Sequence, residues 1–357
     1  MSLGIVEGFC AAIGRFLGAM ACSSLSHVFI DVDPRKTPGP SLQLSSHHVP
    51  AMKRDIRAPG NATATIRIFE PYPGIFAYYD GRTGERFHSE DPNWLDDGAF
   101  TLGVSTYAIV SGSEALLYDA GITTDHAAFM LNHVETLGVN KTTLVYSHFH
   151  NDHIAGAPAL KKSTIVGQTQ TEATIRRNTD RLAKGDPPIQ AVLPTTLYED
   201  QMTLNIGNTT IELHHFNIHT PDGTILFLPQ QGLLFAGDTL EDTATFIADA
   251  ASLPTHQQEL KRMAELPIKK ILPAHGSPDR IAAGGYATTF IDATLRYIQA
   301  VDEPVEAPAA WSKPLSEVVA ADVEAGNLIY FAKYEDVHAS NVDSIKELRQ
   351  SGLIVSG

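Results

Sequence analysis

The sequence has few cysteines, few basic residues and no long uninterrupted hydrophobic run. Its 357 residues include only two cysteines, Cys10 and Cys22, so a disulfide framework is excluded. The 26 Lys and Arg are outnumbered by 41 Asp and Glu, and the formal charge of −15 argues against a nucleic-acid partner because it repels phosphate backbones. With 27 Gly and 21 Pro, usage is close to ordinary, which excludes a collagen-like or low-complexity chain.

The most apolar stretch, residues 4–22, does not predict a membrane span because Glu7 and Arg15 interrupt it. The order of basic and apolar residues in this stretch is also wrong for a secretory signal, since no Lys or Arg precedes the apolar part. Residues 19–21 do resemble a cleavage site. Apolar residues recur there at helical spacing and predict a helix that docks on the body of the protein or on a second subunit. We therefore expect a cytoplasmic protein without a membrane partner, with export as the alternative and a homodimer as one arrangement.

The rest of the chain mixes strand-like and helical patterns. This mixture predicts an α/β or α+β domain in which helices cover the faces of sheets. We divide the chain into an N-terminal helix and linker arm over 1–60, a main domain over 61–302 and a C-terminal helical extension over 303–357. In the last segment, helical patterns over 315–333 and 339–350 predict a cap that packs on the core and shapes the pocket.

Histidine is abundant, with 15 copies in an acidic chain, and four candidate metal ligands lie within six residues. They belong to residues 147–153, which read SHFHNDH and follow a buried-looking strand. Alternate residues of an extended segment point the same way, so His148 and His150 can bind one metal ion together. Where the chain bends into a helix, Asp152 and His153 point elsewhere and can bind a second ion.

The spacing His-x-His-x-Asp-His resembles the signature of the metallo-β-lactamase superfamily, and the resemblance extends over about residues 100–285. Each later match follows a strand-like run, as a site built on strand ends requires. The resemblance implies a metallo-β-lactamase-like αββα sandwich with a binuclear metal site. The matching positions are one supporting aspartate and three further ligands: Asp119, His219, Asp238 and His275.

The resemblance also implies a division of the ligands between two metals. The first metal would be held by His148, His150 and His219, and the second by Asp152, His153 and His275, with Asp238 bridging both. Two other histidines, His214 and His215, precede His219, which we prefer because a Thr-Pro-Asp-Gly turn follows it. Asp119 would support the metal loop by hydrogen bonds. Ligands of nitrogen and oxygen alone favour two Zn²⁺ ions per chain, with Fe or Mn as alternatives.

The resemblance predicts a zinc-dependent hydrolase whose partner is a small-molecule ester, lactone or thioester. A metal-bridging hydroxide would attack the carbonyl, and Asp152 would also orient that hydroxide or pass a proton to the leaving group. In having an aspartate at position 238, the sequence is similar to the lactonase and glyoxalase II branches of the superfamily. The β-lactamases proper usually carry Cys or Ser at this position. An iron-dependent persulfide dioxygenase keeps a similar motif and is the alternative, and a β-lactamase is a further one.

Overall fold

The computed structural model describes residue 63 and residues 65–351. The helix and linker arm predicted over 1–60 therefore lie outside the described residues. Within the described part, two β-sheets form the centre and helices flank them.

The first sheet has seven strands, and their order in the sheet follows their order in the chain. The strands are β1 (Arg67–Tyr72), β2 (Ile75–Asp80), β3 (Val104–Ser111), β4 (Glu114–Tyr118), β5 (Lys141–Val145), β6 (Thr164–Gln168) and β7 (Thr196–Tyr198). Strands β1 to β4 pair antiparallel, and the pairs from β4 to β7 are parallel. Adjacent parallel strands end at the same edge of a sheet, so the segments after β4 and β5 lie side by side.

The second sheet has five strands. They are β8 (Gln201–Ile206), β9 (Thr209–His215), β10 (Thr224–Leu228), β11 (Leu233–Gly237) and β12 (Lys270–Pro273). Their order in the sheet is β12-β11-β10-β9-β8, and only β11 and β12 pair in parallel. Because β9 and β11 both run antiparallel to β10, the strands β9, β11 and β12 all end at one edge.

Nine helices lie among the described residues. They are α1 (Thr124–Thr136), α2 (Asn151–Ile154), α3 (Thr169–Ala183), α4 (Leu253–Ala264), α5 (Pro278–Ala282), α6 (Thr289–Val301), α7 (Leu315–Val318), α8 (Ala320–Glu324) and α9 (Tyr334–Gln350), with short helical turns at Leu95–Phe100, Ala157–Leu160, Ala250–Ser252 and Ala309–Ser312. None of the helices in this part of the chain is long and apolar enough to cross a membrane.

Apolar side chains form three layers of core. One cluster joins the inner faces of the sheets, with Tyr107 of β3 and Phe235 of β11 packed edge to face. A second covers the outer face of the first sheet with α1 and α3, and a third covers the second sheet with α4 and α6. These layers confirm the predicted αββα sandwich.

Two of the predicted helical patterns were wrong in their extent. The helical pattern of the sequence over about residues 280–300 predicts one helix, but the chain forms α5 and α6 there, because Gly284 and Gly285 have φ angles of 102° and 90° that end α5. The predicted helix over 315–333 stops at α8, where Gly326 has a φ of 74°, and the chain then continues without helix to α9. Glycine ended both patterns because only a residue without Cβ adopts these angles at low cost.

The C-terminal helices share the core of the second sheet. Leu315 of α7 and Tyr334 and Ile345 of α9 are fully buried and belong to the same cluster as Leu260 of α4 and Ile298 of α6. This packing removes apolar surface from water on both sides of the contact. The cap is therefore joined to the main domain by a continuous apolar core.

We predict that Ile345→Ala lowers the free energy of unfolding by about 2–5 kcal/mol, because it leaves a cavity in this shared core. Denaturant unfolding followed by circular dichroism measures the change. Glu347→Ala, an exposed position on the same helix, is the matched control and should stay within about 0.5 kcal/mol of the parent. Equal stabilities of the two variants would show that α9 does not belong to the core.

Candidate metal centre

The predicted metal ligands lie in segments that follow the C-terminal ends of strands from both sheets, with Asp152 and His153 in the short helix α2. The segment from His148 to His153 follows β5, and Asp119 follows the adjacent strand β4. In the second sheet His219, Asp238 and His275 follow β9, β11 and β12. The sheet topology thus collects segments that are far apart in the chain at one end of the sandwich.

Asp119 anchors the loop after β5. Its φ of 67° is left-handed, a conformation that is uncommon for a residue other than glycine and that occurs mostly at constrained sites. One carboxylate oxygen accepts the backbone N–H of Ser147 at 2.6 Å, and the other accepts Nδ1–H of His153 at 2.8 Å. The side chain of Asp119 therefore fixes both the start of the loop and the orientation of the His153 ring.

Two clusters of side chains bring their ligand atoms within 4.8 Å of one another. The first contains His148, His150, His219 and Asp238, and the second contains Asp152, His153, Asp238 and His275. Asp238 belongs to both. The structure thus brings together all seven residues that the sequence predicted, in the two groups expected.

Imidazole nitrogens converge on Asp238. Its Oδ2 atom lies between 3.1 and 3.6 Å from Nε2 of four rings: His148, His153, His219 and His275. Among the described residues, Nε2 of His148 and Oδ1 of Asp238 are buried without a hydrogen-bond partner. Leaving such atoms unsatisfied costs about 1–3 kcal/mol each, whereas a cation placed between them would be bound by both. The donor set therefore fits two divalent cations such as Zn²⁺, Fe²⁺ or Mn²⁺.

In two of the ligand rings, the nitrogen turned away from the centre is held by a backbone carbonyl. Nδ1–H of His219 donates to the carbonyl of Phe246 at 2.9 Å, and Nδ1–H of His275 donates to the carbonyl of Gly103 at 2.6 Å. A fixed outer nitrogen sets the tautomer, so that Nε2 presents a lone pair to the centre. Hydrogen bonds of this kind are what metal-ligating histidines usually make.

The electrostatics of the centre favour ionised carboxylates, neutral rings in the first cluster and protonated rings at His153 and His275. Burial, reinforced by His219, lowers the pKa of His150 to about 3. Burial would raise the pKa of Asp238, but the neighbouring histidines, His153 first, bring it well below its usual range. Burial opposes charge on His153, yet Asp238 and Asp152 raise its pKa well above the ordinary value. A cation at this position would replace the proton on His153 and balance the same carboxylates.

The centre opens to solvent on one side. His150 and Asp152 are partly exposed, and the Asp152 side chain keeps 15% of its surface accessible. The ligands on the opposite side, His148, His153 and His275, are buried. Solvent therefore reaches the centre beside His150 and Asp152.

Sequence reasoning missed three groups that hold the ligands. Two are the carbonyls of Gly103 and Phe246, which no sequence motif marks because they belong to the backbone. The third is Glu241, a buried carboxylate 3.4 Å from Nδ1 of His219, and its place three residues after Asp238 was an available signal. The two histidines set aside in favour of His219 contact other groups, since His214 pairs with Glu212 and His215 bonds the Pro221 carbonyl.

We predict that Asp119→Asn weakens retention of added Zn²⁺, used as a probe ion, by about 10–100-fold, because an amide cannot accept hydrogen bonds at both ends. Zinc content after titration with a chelator measures the effect. Asp80→Asn is the matched control, since Asp80 is also a buried carboxylate but caps β2 through the Gly81 amide. Retention as strong as in the parent would contradict the anchoring role of Asp119.

Comparison with known proteins places this geometry in a family. Residues 99–275 match the model of the metallo-beta-lactamase superfamily. A beta-lactamase-like protein 2 homolog of Caenorhabditis elegans is 22% identical over 182 residues, which cover 50% of this chain and 58% of the relative. An atrochrysone carboxyl ACP thioesterase of Cryptosporiopsis sp. is 27% identical over 184 residues, which cover 50% of this chain and 51% of the relative. The chain thus spans little more than half the length of these two relatives.

A solved structure supports the same assignment at the level of the fold. The metallo-beta-lactamase from Pontibacter korlensis aligns with a TM-score of 0.52 and 20% sequence identity, over 66% of this chain and 99% of that one. The matched residues 99–275 begin before Asp119 and end on His275, so they contain the whole candidate centre. The chain belongs to the metallo-β-lactamase superfamily.

Proposed function

We propose that this protein is a dinuclear metal-dependent hydrolase of a small ester, lactone or thioester. The observation that carries the proposal is the position of Asp238 in both ligand clusters, with its second oxygen buried and unpaired among the described residues. Two divalent ions, when bound, would acidify a water molecule and polarise the carbonyl of the substrate. We favour zinc because the ligands are histidine nitrogens and carboxylate oxygens, with no cysteine among them.

The residues of this chain supply binding and positioning. His148, His150 and His219 would hold one ion, and their rings are neutral for that task because burial keeps the pKa of His148 and His150 low. Asp152 and Asp238 would contribute the negative charge. Asp152 also lies at the exposed side, so it can orient the attacking water or move a proton to the leaving group.

The name of one relative supports thioesters as part of the proposed substrate class. The relative from Cryptosporiopsis is named as a thioesterase, and a thioester carbonyl is attacked by the same chemistry as an ester or lactone. An aspartate at position 238, rather than Cys or Ser, favours the lactonase and glyoxalase II-like branch over the β-lactamases proper. We therefore place acyl thioesters and lactones ahead of β-lactams.

We predict about two zinc ions per purified chain and hydrolysis of at least one ester, lactone or acyl thioester, with the hydrolysis and the ion of the first cluster lost in His148→Ala. Elemental mass spectrometry and a substrate panel that includes a β-lactam measure these outcomes. His88→Ala is the matched control, because His88 is exposed and pairs with Asp186 away from the centre. About one iron per chain, with oxygen consumption on glutathione persulfide, would replace this proposal by the persulfide dioxygenase reaction.

We predict that Asp152→Asn, assayed at saturating zinc, lowers kcat by about 10²–10⁴-fold, because the amide cannot accept or pass the proton. The metal content must be measured on the same sample, so that loss of zinc is separated from loss of turnover. Full turnover with both metals in place would refute a catalytic role for Asp152.

A further inference from the structure

A loop over residues 239–249 lies between the metal centre and helix α9. Its Phe246 carbonyl accepts Nδ1–H of His219, the ligand that follows β9. Its Thr245 hydroxyl donates to the carbonyl of Asp238 at 3.2 Å. The loop therefore touches two of the candidate ligands, and its conformation decides where the His219 ring points.

Glu241 holds this loop from within. One of its oxygens accepts the backbone N–H of Phe246 at 2.8 Å and lies 3.4 Å from Nδ1 of His219. The other oxygen accepts the hydroxyl of Tyr334, the first residue of α9, at 3.3 Å. Glu241 is only 2% exposed and Tyr334 is fully buried, so these bonds are shielded from competing water.

Helix α9 holds the same loop a second time, through Asn341. The side-chain oxygen of Asn341 accepts the N–H of Ile247 at 2.8 Å, and its nitrogen donates to the carbonyl of Thr245 at 2.9 Å. These two residues flank Phe246. A single buried amide thus fixes the peptide unit that contains the Phe246 carbonyl, through its Ile247 N–H, and the peptide unit before it, through the Thr245 carbonyl.

We propose that Glu241 is a positioning residue for the metal ligand His219, and that α9 holds it in place through Tyr334 and Asn341. The inference rests on the proposed function, because it assigns a role toward the ion that His219 would bind. Carboxylates and carbonyls on the outer nitrogen of a ligating histidine orient the ring and raise its basicity. The C-terminal extension would then support metal binding as well as the shape of the pocket.

Two variants of Glu241 test this role through zinc retention. Glu241→Ala removes the bonds to Phe246 and Tyr334, and Glu241→Gln keeps the size of the side chain, which guards against a folding failure of the alanine variant. We expect zinc retention against a chelator to fall by about 10–100-fold in Glu241→Ala. We expect a smaller fall in Glu241→Gln. Glu335→Gln is the matched control, since Glu335 also lies on α9 but caps Leu315 and Ser316.

The same substitutions in a His219→Ala background separate positioning from general stability. That background retains Asp152, His153, Asp238 and His275 for one ion. With no ring left to position, Glu241→Gln should change retention of that ion by less than about twofold. A weakening of equal size in both backgrounds, or none in the parent, would overturn the positioning role. A parent chain that binds no zinc would overturn the proposed function as well.

Discussion

Buried imidazoles and carboxylates lie close together around Asp238. The rest of the centre depends on how each of these buried polar groups finds a partner. The ring centroids of His148 and His153 are 4.2 Å apart, and those of His148 and His150 are 4.5 Å apart. Groups of this polarity lose their hydration when they are buried, so they persist only where each finds a partner. Divalent cations bound at the two clusters would provide that partner for all of them at once.

The fold holds the centre rigid from both sheets. Tyr107 of β3 donates its hydroxyl to the Pro273 carbonyl at 2.6 Å, and the Ser105 amide bonds the Ala274 carbonyl at 2.8 Å. These bonds join the first sheet to the segment that carries His275. The Gly103 carbonyl then fixes the outer nitrogen of that histidine. A ligand on one sheet is thus oriented by groups on the other, and the packed layers behind them resist displacement.

Helix α9 belongs to the outer core and also contacts the loop beside the candidate metal centre. Its apolar face packs with α4 and α6, and its polar residues Tyr334 and Asn341 reach the loop beside His219. Tyr334, Asn341 and Ile345 all lie on the buried face of the helix, so one face both packs in the core and contacts the loop beside His219. The excess of acidic residues in the chain does not by itself locate the centre, because the carboxylates that contribute to it are the few that are buried there.

The sequence by itself determined the sandwich and the seven candidate ligands, because short motifs at strand ends carry their spacing in the chain. Alternation along the chain indicated that His148 and His150 bind one ion, and the resemblance to the superfamily implied the roles of Asp119, His219, Asp238 and His275. Only the tertiary structure decided which groups hold those ligands. Backbone carbonyls such as those of Gly103 and Phe246 have no residue signature, and Tyr334 lies 93 positions from Glu241. Contacts of that kind arise when separate layers pack together, so local patterns of side chains do not encode them.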